Sequence, residues 1–375
     1  MHKWQNAQIA EKHEERSADS IPEDRKETAE MAKIKLLVLF GGASNDYTES
    51  QISASSVLKA LPEDKYEVVP VGINRKGRWL YFPGDFTEIG DGNWSENSDC
   101  TSAILSPDPA HRGILILEDG SYTLKRIDVI FSLLQGTYGE DGAIQGLCEL
   151  SHIPYVGNGI SGSAVCRNKA LTHALLQEAG IPIPNWVSVS NRKLSRLDRE
   201  CDRIEERLEY PLFIKPSGSD SAVATGIAHE REELVTLMKR AFTQDSTVLV
   251  EELCEGREFR VAVFGYDLPF ASFVGELHHS ETEPMTVPAE LDDQTVRFMR
   301  ETAIAAFQTL GCRALALIDF YYTVRGDILL GEVNTMPALS EKAPYPVLMA
   351  DLGMRYPYLL EKLIEQAAEH ADRGF

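Results

Sequence analysis

The sequence predicts an α/β protein of several packed domains, and three observations carry that prediction. From Lys33 an apolar strand, a glycine-containing turn and a helix follow one another; strand and helix patterns then alternate as far as Gly159; and the last third is strand-rich around one helix with an apolar face. At 375 residues, with 43% hydrophobic and 25% charged residues, the chain is long enough for two or three cores of ordinary globular composition.

Taken in order, 1–32 is dense in Glu, Lys, Asp, Arg and Ser with few large apolar residues. Such a stretch cannot bury enough surface to offset the entropy of ordering, so a disordered tail is expected, with Met31 as an alternative start. K-L-L-V-L-F then reads as a buried strand, G-G-A-S-N as a turn and S-Q-I-S-A-S-S-V-L-K-A-L as a helix. Two further strands, Y-E-V-V-P-V-G-I and I-D-V-I-F-S-L-L, and a helix from Ala143 to Ser151 point to a parallel sheet in a first domain over 33–159. A short central domain, 160–248, contains the helix K-A-L-T-H-A-L-L-Q-E-A-G, stopped by Gly180 and I-P-I-P. The strand Y-P-L-F-I-K-P and the small-residue loop S-G-S-D-S-A-V-A-T-G follow. The third domain, 249–375, holds R-E-F-R-V-A-V-F-G and L-P-F-A-S-F-V as strands and a helix with Val296, Met299, Ala303, Phe307 and Leu310 on one face. After it, L-A-L-I-D-F-Y-Y and D-I-L-L-G-E-V-N-T form a hairpin turning at Val324, Arg325 and Gly326.

Charge narrows the function. With 37 basic and 58 acidic residues, a formal charge of -21 argues against nonspecific binding to nucleic acid or to an anionic membrane. The longest apolar runs are far shorter than a membrane span and the N-terminus lacks an apolar signal core, so a cytoplasmic location is expected. Six cysteines, Cys100, Cys148, Cys166, Cys201, Cys254 and Cys312, show no C-x-x-C pair and read as buried thiols.

The last hairpin carries chemistry. Residues two apart on a strand share a face, so Glu332 and Asn334 point the same way and Asp319 can meet them from the paired strand. Three oxygen ligands with open positions suit Mg²⁺ bridging nucleotide phosphates; the plainer alternative is a solvent-facing Asp319 beside a turn. Lys215 ends a strand before the small-residue loop, whose backbone and hydroxyls can close over phosphates, and Lys169 begins a helix after C-R-N. Glu251, Glu252 and Glu258 lie where a carboxylate can take an adenine amine or a ribose hydroxyl pair, or form only a solvated acidic patch.

These residues, with the ordered motifs L-F-G-G-A-S, F-S-L-L-Q-G-T-Y-G-E-D-G-A-I-Q-G, Y-V-G-N-G, Y-P-L-F-I-K-P, V-L-V-E-E, L-G-C-R, I-D-F and G-E-V-N-T-M-P, make the chain resemble the D-alanine-D-alanine ligases of the ATP-grasp superfamily. The likeness extends from about Lys33 to about Leu363 and is nearest to the vancomycin-resistance branch. It implies a three-domain ATP-grasp fold: a parallel-sheet N-terminal domain, a small central α+β domain and a C-terminal α+β domain with the metal site. It also implies ATP with Mg²⁺, or Mn²⁺ in its place, small amino-acid substrates, and a homodimer. In such enzymes one carboxylate is phosphorylated and a second amine or hydroxyl attacks the acyl phosphate. Position by position, the resemblance makes Asp319, Glu332 and Asn334 the metal ligands, and Lys169 and Lys215 the phosphate lysines. Glu251 becomes the adenine contact and Glu258 the ribose contact, with Ser221, Glu252 and Cys254 beside the nucleotide. Asp46 matches the acidic residue that holds the first substrate's ammonium, with Ser50, Gln135 and Glu140 near it as catalytic candidates.

Several positions depart from the family. Leu317 stands where R-I-D or R-V-D has an arginine that meets the acceptor's carboxylate and the acyl-transfer intermediate. Gln135 replaces a histidine, Ala338 a glycine, and Ala222 lies in a rewritten loop. The loop G-E-L-H-H-S-E-T-E-P-M-T-V-P-A-E-L carries no lysine, and His278 and His279 within it read as solvated. Lys342 is a candidate replacement cation for the arginine, or an exposed loop lysine. The departures favour a carboxylate-amine ligase with a changed acceptor, suited to specialised-metabolite or peptide synthesis. The alternatives are a genuine ligase making D-Ala-D-Ala, D-Ala-D-Ser or D-Ala-D-Lac, and a silent nucleotide-binding homologue.

Overall fold

The computed structural model describes residues 32–218, 224–278, 280 and 284–371. The tail expected over 1–32 lies outside them but for Ala32, as do Ser221, Ala222 and His279.

Three sheets order the chain. The first is built from β1 (Ile34–Gly41), β2 (Tyr66–Ile73), β3 (Trp79–Tyr81), β4 (Thr101–Leu105), β5 (Gly113–Glu118), β6 (Ser121–Arg126), β7 (Val129–Ser132) and β8 (Tyr155–Val156). Their spatial order is β6-β5-β4-β3-β2-β1-β7-β8. β1 runs parallel to β2 and β7, and β7 parallel to β8, as the alternation predicts. The antiparallel wing β3 to β6 is a finding that the sequence reading did not contain. Its strands are short and partly exposed, so they carry no long apolar run.

The second sheet holds β9 (Trp186–Ser190), β10 (Leu212–Pro216), β11 (Gly226–Ala228) and β12 (Thr247–Glu252), all antiparallel in the order β11-β10-β12-β9. The third holds β13 (Gly256–Gly265), β14 (Phe270–Leu277), β15 (Met285–Thr286), β16 (Ala314–Thr323) and β17 (Ile328–Asn334), antiparallel in the order β15-β14-β13-β16-β17. β16 and β17 are the predicted hairpin. β12 stays in the second sheet as far as Glu252, beyond the expected boundary at 248.

Around these sheets lie α1 (Tyr47–Ala60), α2 (Phe86–Gly90), α3 (Ala143–Ser151), α4 (Ile160–Arg167), α5 (Lys169–Glu178), α6 (Leu197–Glu205), α7 (Arg231–Ala241), α8 (Asp293–Thr309), α9 (Pro344–Asp351) and α10 (Tyr356–Ala371). β1 is apolar without alternation because both of its faces are covered. Leu36, Val38 and Phe40 share a core with Leu359, Leu360 and Leu363 of α10, while Leu37 and Leu39 pack with Ile144 and Cys148 of α3. At roughly 1.5–3 kcal/mol for each fully buried large side chain, the α10 leucines anchor the chain's last helix to its first sheet. α6 and α7 close the second sheet. α4 and α5 belong elsewhere than the domain boundary at 160 suggests, since Cys166 and Leu176 share a core with Phe259, Val261 and Phe307 of the third sheet and α8. Among the described residues no helix is long and apolar enough to cross a membrane.

Candidate active site

A cavity of about 350 Å³ brings the first and third sheets together at the predicted residues: Asp46, Gln135, Glu140, Lys169, Leu317, Asp319, Glu332, Asn334 and Ala338 all line it. Its floor is the inward face of the third sheet. Asp319 stands opposite Glu332, and Leu317 opposite Asn334, so strand alternation puts all four side chains on one face. Asn334 Oδ1 accepts a bond from the backbone N–H of Met336 at 2.9 Å and, being a carbonyl oxygen, keeps a second lone pair.

The metal reading has an electrostatic test within the structure. Burial raises the Asp319 carboxyl, Arg260 pulls it down, and Glu332 and then Glu258 add to the rise, which together leave it pushed up to about 6. Carboxylates crowded against burial in this way favour a cation among them. Among the described residues no group of three or more His, Cys, Asp and Glu side chains forms a closed metal cage. Two carboxylates and an amide leave positions for phosphate oxygens and water, which is how Mg²⁺ is held on a nucleotide.

Arg260 is an arginine beside these carboxylates that the sequence reading did not place there. It pairs in register with Asp319 from β13, with Nε 3.0 Å from Oδ1 and Nη2 3.4 Å from Oδ2. The signal was in E-F-R-V-A-V-F-G: Glu258 and Arg260 are two apart on a strand and so share the site face.

The phosphate lysines are positioned by a junction that sequence reasoning missed. Asn168 caps α5 by accepting from the Leu171 N–H at 3.1 Å, and it also accepts the Ser217 hydroxyl at 2.8 Å. Ser217 O accepts from the backbone N–H of Lys169 at 2.9 Å. The start of α5 is thereby tied to the end of β10, two residues past Lys215. Lys169 Nζ reaches Glu332 Oε1 at 3.3 Å, and Lys215 Nζ reaches Glu251 Oε2 at 2.8 Å. His173, also missed, follows Lys169 by four residues on the same face of α5, and its Nε2 lies 2.5 Å from Glu251 Oε1. That contact is close but not aligned as a hydrogen bond. Burial alone would raise the Glu251 carboxyl; Lys215 and His173 outweigh it and hold it at about 2. In this structure Glu251 is therefore a clamp on Lys215 and His173.

Four expected site residues are placed otherwise. Ser50 is fully buried, donating to Leu133 O at 2.6 Å and accepting from the Gly41 N–H at 2.8 Å. Its donor and one lone pair join β1 to the segment after β7, which is a structural contact. Glu252 faces away from Glu251, as adjacent strand residues must, and binds Asn185 Nδ2 at 3.0 Å and the Glu209 N–H at 3.2 Å. With Cys254 it lines a separate surface pocket at the end of β12. Burial and the neighbouring Glu251 and Glu252 carboxylates push the Cys254 thiol up to about 11. Lys342 is exposed in the turn before α9 and lines no part of the site cavity.

The substrate side is held by backbone and salt bridges. Asp46 sits at the start of α1, and Gly136, at φ +73°, comes so close to it that a Cβ there would meet its Oδ2. Glu140 is paired with Arg167 at 3.1 Å, and Gln135 Nε2 is 3.5 Å from Met336 O. Arg167 is a further lining cation absent from the sequence reading.

Comparison with known proteins agrees with this geometry. Residues 35–158 match the family model described as D-ala D-ala ligase N-terminus, and residues 175–365 match that described as D-ala D-ala ligase C-terminus. The chain is 37% identical over 362 residues to a D-alanine-D-alanine ligase of Acetivibrio thermocellus, covering 90% of this chain and 96% of that protein. It is 36% identical to the vancomycin/teicoplanin A-type resistance protein VanA of Enterococcus faecium, over 89% of this chain and 98% of that one. The crystal structure of the VanG D-Ala:D-Ser ligase from Enterococcus faecalis superposes with a TM-score of 0.83 at 32% identity, covering 90% of this chain and all of that one. The chain belongs to the D-alanine-D-alanine ligase family, and so to the ATP-grasp ligases that form carbon-nitrogen bonds with release of ADP.

Proposed function

We propose that this protein uses ATP and Mg²⁺ to activate the carboxylate of D-alanine as an acyl phosphate and joins it to a second D-residue, with D-alanine the first candidate. The observation that carries the reading is one cavity holding Asp319, Glu332 and Asn334, Lys169 and Asp46 together. Asp319, Glu332 and Asn334 would hold a divalent cation, which would neutralise charge on the transferring phosphoryl group. Lys169, fixed by the Asn168 cap, can leave Glu332 for a phosphate oxygen; Lys215 is held in reserve on Glu251. Asp46 offers a carboxylate to a substrate ammonium at the opposite wall.

The changed-acceptor reading took its strength from the leucine at 317, read as the loss of a guanidinium from the acceptor site. Arg260 lies on the same face of the same sheet, so a carboxylate-bearing acceptor still meets a cation. The relatives named above, and the D-Ala:D-Ser ligase among the solved structures, favour an ordinary D-alanine donor. The test incubates the purified protein with ATP, Mg²⁺ and D-alanine alone, with D-alanine plus D-serine or D-lactate, and with D-alanine plus hydroxylamine. ADP release with D-alanyl-D-alanine formed from D-alanine alone is the expected result. A hydroxamate from some other amino acid, with none from D-alanine, would overturn the donor assignment.

A further inference from the structure

We propose that Arg260 is the acceptor-side cation of the cleft, stored on Asp319 while the metal site is empty and released toward the reacting carbonyl when a divalent cation claims that carboxylate. The inference rests on the ligase reading above.

Placement comes first. Arg260 opposes Asp319, and two residues along β13 Ala262 opposes Leu317, so the guanidinium shares the cavity with the leucine at the position where an acceptor-side arginine is expected. Ala262 adds little bulk beside it.

The second argument is a charge inventory. Five carboxylates line the cavity, Asp46, Glu49, Glu140, Asp319 and Glu332, against three cations, Arg167, Lys169 and Arg260. Arg167 is paired with Glu140, away from the metal set. Lys169 and Arg260 are each held by a group assigned to the metal, Glu332 and Asp319. A metal ion would therefore take Asp319 from Arg260, an arginine on the floor beside Leu317, and Glu332 from Lys169 at the start of α5.

Third, the stored pair is loose. A tight bidentate arginine-carboxylate pair has both contacts near 2.7–2.9 Å, whereas these are 3.0 and 3.4 Å. Nη1 donates to none of the described residues, and about a quarter of the side chain remains exposed to the cleft.

The chemistry needs such a group. The acceptor nitrogen attacks the acyl carbon, the carbon-oxygen bond to phosphate breaks with its electron pair leaving on phosphate, and the nitrogen gives up one proton. Between attack and cleavage the former carbonyl oxygen carries negative charge. The fork of Arg260 can donate to that oxygen with one N–H and to the acceptor's carboxylate with another. Leu317 can do neither.

The test uses the full chain with Arg260→Ala, Arg260→Lys and the double variant Arg260→Ala/Leu317→Arg. D-alanyl hydroxamate formation reads activation, dipeptide formation from D-alanine reads condensation, and Mn²⁺ binding followed by electron paramagnetic resonance reads the metal site without turnover. For Arg260→Ala we expect hydroxamate to fall by less than about tenfold and dipeptide by about 100-fold, the usual cost of one lost oxyanion donor. Arg260→Lys keeps the charge without the fork and falls between. The double variant recovers much of the condensation. Mn²⁺ binds Arg260→Ala more tightly than the parent, because no cation competes for Asp319. Equal loss of both half-reactions, or Mn²⁺ affinity that is unchanged or weaker, overturns the proposal. If the parent yields no hydroxamate, the ligase reading fails and the Mn²⁺ comparison alone decides whether Arg260 competes with the metal.

Discussion

In the reading proposed above, the nucleotide end of the site and its acceptor end hold their charges in different ways. At the nucleotide end Lys215 and His173 converge on one buried carboxylate, Glu251, and both side chains start from elements locked together by Asn168 and Ser217. At the acceptor end Arg260 leans on a metal carboxylate at 3.0 and 3.4 Å, and the lining residues Gln135, Leu317 and Ala338 depart from the family pattern. The difference teaches that two cations on one buried carboxylate fix a site more firmly than one arginine leaning on a partly exposed carboxylate. A buried ion pair keeps its geometry because separating it is costly. A pair on a metal ligand lasts only until a stronger cation competes.

The comparison breaks most severely at the metal. Glu332→Gln removes one ligand charge and the partner of Lys169, and ADP formation should fall by about a thousandfold or more, as expected when charge stabilisation of phosphoryl transfer is lost. Turnover measured with saturating ATP and Mg²⁺ checks it; near-parental activity would exclude Glu332 from the metal site.

A sharper probe of the organised end is Glu251→Gln. It leaves Lys215 and His173 facing a neutral amide in a buried place, for which a stability loss of about 3 kcal/mol is expected. The sign with pH follows from the native carboxyl being held at about 2, below its ordinary value of 4.5. Its contribution is complete above the unfolded value and fades as pH falls from there through about 2. Urea denaturation of parent and variant between pH 2 and 6 should show the gap closing toward acid; a constant gap would mean that the carboxylate's charge is not what stabilises.

The smallest effects separate the residues that the sequence placed in the site from those the structure leaves there. Ser50→Ala should cost about 1–3 kcal/mol of stability by orphaning a buried carbonyl and amide while leaving kcat and KM within about twofold. Lys342→Ala should change neither beyond about 0.5 kcal/mol or twofold. Thermal unfolding with steady-state kinetics checks both, and a kinetic defect in either would return that residue to the catalytic machinery.

Much of this was legible in the sequence. The parallel strands β1, β2 and β7, helix α3 from Ala143 to Ser151 and the β16-β17 hairpin follow from runs and periodicities local to each segment. The convergence of Asp319, Glu332 and Asn334 followed from strand alternation plus a short turn, a rule that works because the partner strand is only a few residues away. The wing β3 to β6 escaped because its strands lack a strong period. Helix α5, expected within the central stretch 160–248, packs on the third sheet, because an apolar stripe says that a face is buried but not by what.

The sequence by itself determined which residues can bind phosphate and metal, since residue type and strand parity are properties of the local chain. Only the tertiary structure decided what those residues meet. That Glu251 is clamped by His173, that Ser50 bonds Leu133 and Gly41, and that an arginine on β13 pairs with Asp319 of β16 all depend on contacts between residues from 9 to 83 positions apart. Such contacts are fixed by the register of paired strands and the packing of whole faces, neither of which any single segment encodes.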